Sequence, residues 1–354
     1  MKRWRIILRH SFLGMNRKEK IIWIWLITGA VMVFLMVAIG GITRLTHSGL
    51  SMVDWNPIMG FIPPTSDAAW HIAFEKYKQY PEFRELNNHF TIDDFKSIFW
   101  WEYIHRLFGR LMGLVFLIPF VFFLAKKWLT PSLKKHLIVI FVLGGFQAFL
   151  GWYMVKSGLN LEPRVSHYRL AAHLITAFVT CMYIWWVAMG LKHKETSLID
   201  FPDFRRVLKW IFALSIAQIV FGAFVAGLKA GWVHNTYPLM DGQLVADAVW
   251  ALDPIYLNFI EGKSGVQFAH RTLAIIVLGV IGYSYFKALR MPLTSRQITS
   301  VRWMFITVMF QFLLGVFTLL FQVPLLLGIL HQLGALVLLG SVLASVHSLR
   351  VTST

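Results

Sequence analysis

The chain has 354 residues, of which 57% are hydrophobic and only 14% charged, and its mean hydropathy is +0.62. That much apolar surface exceeds what a soluble domain of this length can bury, so the composition excludes a soluble globular enzyme and points to several membrane-spanning helices. The single cysteine, Cys181, excludes a disulfide framework and a thiolate metal site.

Eight apolar runs are long enough to span a bilayer, at about 21–45, 102–125, 137–156, 167–190, 208–229, 266–289, 302–322 and 327–348. The predicted fold is an all-α polytopic membrane protein. The basic segment 1–20 leads directly into span 1 without a small-residue cleavage site, which reads as a cytoplasmic tail rather than a removed signal. Its first 18 residues contain no acid, a feature shared with short mitochondrial presequences.

Span 1 ends in GGITRLTHSG (40–49), followed by WNPIMG (55–60) and a long loop. Span 2 opens with EYIHRLFGRLMG (102–113), which carries Glu102, His105, Arg106 and Arg110 into an apolar run. A charged side chain at bilayer depth costs roughly 2.5–3.5 kcal/mol, so this placement calls for a function. Span 3 contains QAFLG (147–151) and span 4 RLAAHL (169–174), with His173. The second half repeats the order. Span 5 holds QIVFG (218–222) and then GAFVAGLKAG (222–231), a gapless match to 40–49, with YPLMDG (237–242) beyond it. Span 6 holds VQFAHRTLA (266–274) with His270 and Arg271, span 7 QFLLG (311–315), and span 8 GILHQLGA (328–335) with His331.

The chain therefore reads as a doubled unit: eight transmembrane helices as two repeated four-helix bundles related by pseudo-twofold symmetry, residues 21–191 and 208–349, joined by a linker at 192–207. Gly109, Gly113, Gly144, Gly145 and Gly151 are expected to permit close helix approach. The net charge of +17 also resolves on this map. The tail, the loops after spans 2, 4 and 6 and the C-terminus hold 21 basic and four acidic residues, while the rest of the chain balances 13 of each. An excess confined to one side is the positive-inside signature, which predicts cytoplasmic termini and outer loops at about 46–101 and 230–265. It is a topology signal and argues against a nucleic-acid partner.

His105, His173, His270 and His331 fall one to each even-numbered span, each expected within about seven residues of the outer end, which places them at one depth. Two opposed imidazoles inside a four-helix bundle suit six-coordinate haem iron, whereas zinc or copper would ask for further ligands that neither half offers. No span carries the two well-separated histidines of a stacked di-haem arrangement, so the prediction is one haem per half, side by side. Arg106 and Arg271 are candidate partners for haem propionates, with surface anchoring an equal alternative for either one. The remaining histidines, His10, His47, His71, His89, His136, His167, His193, His234 and His347, are read as solvated.

Glu102 lies one helical turn before His105, with the two Cβ atoms about 5–6 Å apart. The matching residue in the second half is the neutral Gln267. One site thus has an ionisable group beside it and the other an amide, with a salt bridge to Arg106 as the plainer alternative role for Glu102.

Together GGITRLTHSGLSMVDWNPIMGFIPP (40–64), EYIHRLFGR (102–110), HYRLAAHL (167–174), NTYPLMDG (235–242), QFAHRTLA (267–274) and LHQLGA (330–335) resemble the haem A synthase family, over most of the chain. The resemblance implies oxidation of one methyl of haem O to the formyl of haem A through hydroxylated intermediates. By position it implies His105 and His173 as the axial pair for substrate haem, Glu102 as the catalytic acid, and His270 and His331 as ligands of a permanent haem b that passes electrons. Some members carry cysteine pairs in outer loops; this chain resembles the cysteine-free, mitochondrial-like branch. Further implied partners are membrane lipid, which could admit the hydrocarbon tail of haem O, a haem O synthase, cytochrome oxidase assembly proteins and an unidentified electron acceptor. The implied location is a bacterial inner membrane, with the mitochondrial inner membrane as alternative. Two rival readings remain open: a bis-haem b electron-transfer cytochrome without substrate chemistry, and a repeat-based transporter with a proton relay. Shallow histidines and the absence of a nearby helix break count against the second.

Overall fold

A computed structural model describes residues 15–54, 59–160, 163–192 and 201–350. Most of the tail (1–14), Trp55–Ile58 of the WNPIMG match, most of the linker (193–200, with His193) and the last four residues lie outside the described residues.

The helices are α1 (Arg17–Leu45), α2 (Asp67–Tyr77), α3 (Pro81–Glu85), α4 (Ile92–Ala125), α5 (Pro131–Gly158), α6 (His167–Lys192), α7 (Pro202–Gly227), α8 (Lys263–Ala288), α9 (Ser295–Leu320) and α10 (Leu325–Ser348). All but α2 and α3 are long and apolar enough to cross a membrane, eight in all, and the protein is a multi-pass membrane protein. Sequence chemistry sets their starts. Asn16 with Glu19, Thr91 with Asp94, and Thr294 with Gln297 form reciprocal capping boxes before α1, α4 and α9. Pro131 and Pro202 occupy first-turn positions of α5 and α7, where a missing N–H costs nothing.

The helices pack as two groups of four. In the first, α1 packs on α4 and α6, and α5 on α4 and α6. In the second, α7 packs on α8 and α10, and α9 on α8 and α10. The groups meet where α6 packs on α7 and α10, and α10 on α1. Polar contacts tie these seams within apolar surroundings: Trp25 Nε1 donates to the Val115 carbonyl (2.8 Å), and Gln332 Nε2 on α10 donates to Val37 on α1 (3.1 Å). Two apolar cores follow the groups. One centres on Ile22, Leu26, Leu137, Phe178 and Ala188, the other on Leu208, Ile281, Val301, Met304 and Val342.

Three expectations need correction. Helix α4 begins ten residues before the predicted span, at Ile92. Its 34 residues run about 51 Å against a hydrocarbon core of about 30 Å, so the first turns project outward. They carry Phe95 and Phe99, which pack with Trp70, Phe74 and Tyr77 of α2 in an aromatic cap. His105 is consequently the fourteenth residue of its helix, whereas His173, His270 and His331 are seventh or eighth of theirs. The glycines also divide. A Cβ on Gly109 would meet the Met36 methyl at 3.4 Å and one on Gly151 would meet His173, but Gly113, Gly144 and Gly145 face open space and bring no helix close. Finally, His167 and His347 are buried rather than solvated. His167 Nε2 bonds the Ile260 carbonyl (2.9 Å), and the His347 ring stands edge-on to Trp186, because both sit in seams between packed segments.

Candidate haem sites in the two helix groups

His270 on α8 faces His331 on α10 with ring centres 6.4 Å apart and planes at 89°. Two metal–imidazole bonds of about 2.0 Å, plus about 1.2 Å from each nitrogen to its ring centre, ask for about 6.4 Å in line. The spacing of the pair matches what two imidazoles sharing one metal need, as in bis-histidine haem. Around it lies an apolar cavity whose lining includes Arg271, Gln218, Gln311 and, crossing from the first group, Arg44. Arg271 donates to the carbonyls of His234 and Leu239, yet its buried Nε has no partner among the described residues. A flat, apolar ligand bearing carboxylates matches this lining, so the residues present fit a haem.

His105 on α4 and His173 on α6 occupy the corresponding helices of the first group. Each of the four rings lies against a glycine. A Cβ on Gly40 would come within 3.2 Å of His105, on Gly151 within 3.2 Å of His173, on Gly222 within 3.1 Å of His270 and on Gly315 within 2.9 Å of His331. Glycine at these positions makes room for the imidazole beside the neighbouring backbone.

Glu102 is buried and fully engaged. One carboxylate oxygen accepts from Ser51 Oγ (2.7 Å) and the Met52 N–H (2.8 Å), the other from Arg106 (2.6 Å). Arg106 also donates to the carbonyls of Met52 (2.7 Å) and Asp54 (2.9 Å). The structure thus brings Arg106 to Glu102 and to the loop after α1, whereas Arg271 lines its cavity. The second group shows the same frame with opposite polarity. Gln267 donates through Nε2 to the Ala230 (3.0 Å) and Val233 carbonyls, and its oxygen is buried without a partner among the described residues.

Sequence reasoning missed Ser51 and Arg44. It noted the Gln-x-x-x-Gly repeats without seeing their targets. Gln147, Gln218 and Gln311 each place the amide nitrogen 3.1 Å from Nδ1 of His173, His270 and His331 respectively. The triple recurrence was the signal.

The chain is similar to known proteins over nearly its whole length. The chain is 47% identical over 339 residues to a protein of Flavobacterium johnsoniae named heme A synthase, covering 95% of this chain and 99% of the relative. Proteins of the same name from Nitrosospira multiformis (42% identical, 94% of each chain) and Wolbachia pipientis wMel (40%, 94% of this chain and 93% of the relative) match as fully. The family model described as cytochrome oxidase assembly protein, COX15-CtaA, matches residues 23–343. With relatives 40–47% identical over nearly the whole chain and the family model matching most of it, the chain belongs to that family.

Proposed function

We propose that this protein is a haem A synthase, an oxidoreductase that acts on haem O within the membrane. The observation that carries the reading is an asymmetry on a shared frame: two histidine pairs, of which only His105–His173 has a carboxylate, Glu102, one turn away. The full-length relatives named heme A synthase support it.

In this proposal His105 and His173 hold the substrate haem in the first helix group, residues 21–191. His270 and His331 hold a resident haem b in the second, residues 208–349, with Arg271 serving a propionate. When bound, haem b supplies one-electron transfer, which removal of electrons from a methyl group requires. The residues of the chain do the rest. Three donors fix Glu102 in place, so its charge is oriented before substrate arrives rather than by it. Oxidation of the methyl group also releases protons. Glu102 takes one at an oxygen that trades its bond from Ser51 or Met52, while Arg106 holds the other oxygen. Gln267, an amide donating to carbonyls, has no such capacity. The basic excess supports cytoplasmic termini, with both haem sites toward the opposite side of the inner membrane. A haem O-producing enzyme, an electron acceptor and oxidase assembly proteins are the partners this chemistry asks for.

The test is co-expression with a haem O-producing enzyme, followed by chromatography of the extracted haems. Haem A should appear beside haem b. Extracts holding haem b alone would identify an electron-transfer cytochrome instead.

A further inference from the structure

Three of the four histidines share a support that the fourth lacks. Gln147, Gln218 and Gln311 each lie 3.1 Å from Nδ1 of the facing ring, Gln147 and Gln218 also 3.4 Å from Nε2, and each donates to the same histidine's backbone carbonyl, at 3.0, 3.1 and 2.9 Å. In each case the glutamine oxygen is buried with no partner among the described residues. In the register that aligns 40–49 with 222–231, Gly40 matches Gly222, and the place of Gln218 is taken by Met36. Met36 packs its methyl toward Gly109, and its thioether is at best a weak acceptor, with no amide to give. The His105 ring also meets its glycine differently. It presents Nε2 and Cδ2 to Gly40 (3.2 and 3.6 Å), where His173, His270 and His331 present Cε1 to their glycines (3.2, 3.1 and 2.9 Å) with both ring nitrogens farther back.

An imidazole that ligates a metal through Nε2 carries its proton on Nδ1 and needs an acceptor there. The glutamine amide lies within reach of that atom. Turning it over places its oxygen, which has no partner among the described residues, where the nitrogen stands 3.1 Å from Nδ1, in exchange for the bond to the backbone carbonyl. Such outer partners fix the tautomer and ring orientation and raise ligand basicity, and their loss typically costs 10–100-fold in metal affinity. His173, His270 and His331 have this device; among the described residues His105 has no such partner.

We propose that Met36 makes His105 the weak axial ligand, through which the first helix group binds and releases its haem, while the second retains its own. Met36 is then a positioning residue that separates an exchanging site from a permanent one. The inference rests on the assignment of substrate to the first group, and it explains how two sites built alike could serve turnover and storage.

The test follows haem transfer from the purified full chain, loaded with haem b in both sites, to excess apomyoglobin. Wild type should show a fast and a slow phase, with the fast one abolished by His105→Ala. Met36→Gln should slow the fast phase tenfold or more, and Met36→Leu, which adds no amide, should not. The reciprocal change, Gln218→Met, should speed the slow phase by a similar factor and keeps the test decisive if Met36→Gln fails to fold. Equal phases in wild type, or rates that neither exchange moves, would overturn the proposal. Haem A yield under co-expression is read separately. Shifted phases with no haem A formed would leave the ligand asymmetry standing and sink the enzymatic reading.

Discussion

The two outer corners of the molecule present the same three-part frame: a loop that follows a long helix, and on the next long helix a polar residue with an arginine one turn further on. In the first corner the loop at Ser51–Asp54 gives its hydroxyl and N–H to Glu102 and its carbonyls to Arg106. In the second, the loop at Ala230–His234 gives only carbonyls, to Gln267 and Arg271. One corner is thus wired to stabilise a negative charge and the other to satisfy an amide. On the proposed reading, a repeated frame gains chemistry at one corner by exchanging a single side chain, provided the loop supplies donors rather than acceptors.

The largest expected effect breaks the comparison at the metal. His270→Ala or His331→Ala removes one of the two proposed ligands, whose ring centres lie 6.4 Å apart, and should deplete the haem b proposed for the second group, read as loss of its absorbance in the purified protein. Unchanged haem b content would refute the assignment. Next comes Glu102→Gln, which should leave that haem in place and lower haem A formation by about 10²–10⁴-fold, the range general acid–base groups contribute. Full activity in this variant would remove the chemical role and leave Glu102 as a structural partner of Arg106. A smaller effect is expected from Gly315→Ala. Its Cβ would sit 2.9 Å from Cε1 of His331, so the ring must shift. Haem b retention should fall several-fold and stability by about 1–3 kcal/mol, the usual cost of overpacking. An unaltered haem spectrum and melting temperature would show that the glycine is not needed to seat the ring.

Much of this was legible in the sequence because its signals are long or repeated. The eight spans follow from apolar length. His105, His173, His270 and His331 follow from their place in a doubled pattern, and the contrast between Glu102 and Gln267 follows from alignment of the halves. What escaped depends on tertiary contacts without a sequence period. The outward turns of α4 mix Asp93, Asp94 and Lys96 with Phe95 and Phe99, which hides an amphipathic cap from a search for apolar runs. Ser51 is unremarkable until the loop folds over Glu102. His167 and His347 look like helix-end residues, and only the packing of neighbouring segments buries them. Gly144 and Gly145 match a helix-packing pattern but face outward, because small residues permit close approach without compelling it.

The smallest prediction concerns a second acid that only the first corner possesses. Glu82 in α3 is buried beneath the aromatic cap, with the Tyr77 hydroxyl donating to it at 3.1 Å and Asn87 donating to Tyr77 at 2.8 Å. Burial pushes its pKa up from 4.5 to about 7, helped by the charge of Glu102 and opposed by the Tyr77 hydrogen bond and by Lys229. Below about 4.5 the carboxyl is protonated both folded and unfolded; between that value and about 7 the folded chain keeps a proton that the unfolded chain gives up. Stability should therefore fall as pH rises through this window and level off above it, by an amount on the order of 1–3 kcal/mol. Melting of the detergent-solubilised protein at a series of pH values reads this directly, and Glu82→Gln should flatten the slope there. A wild-type profile with no slope in that range would mean that Glu82 is already ionised in the folded cap. The second corner has no counterpart to this buried acid among its described loop residues, so the slope, if found, belongs to the side of the molecule that carries Glu102.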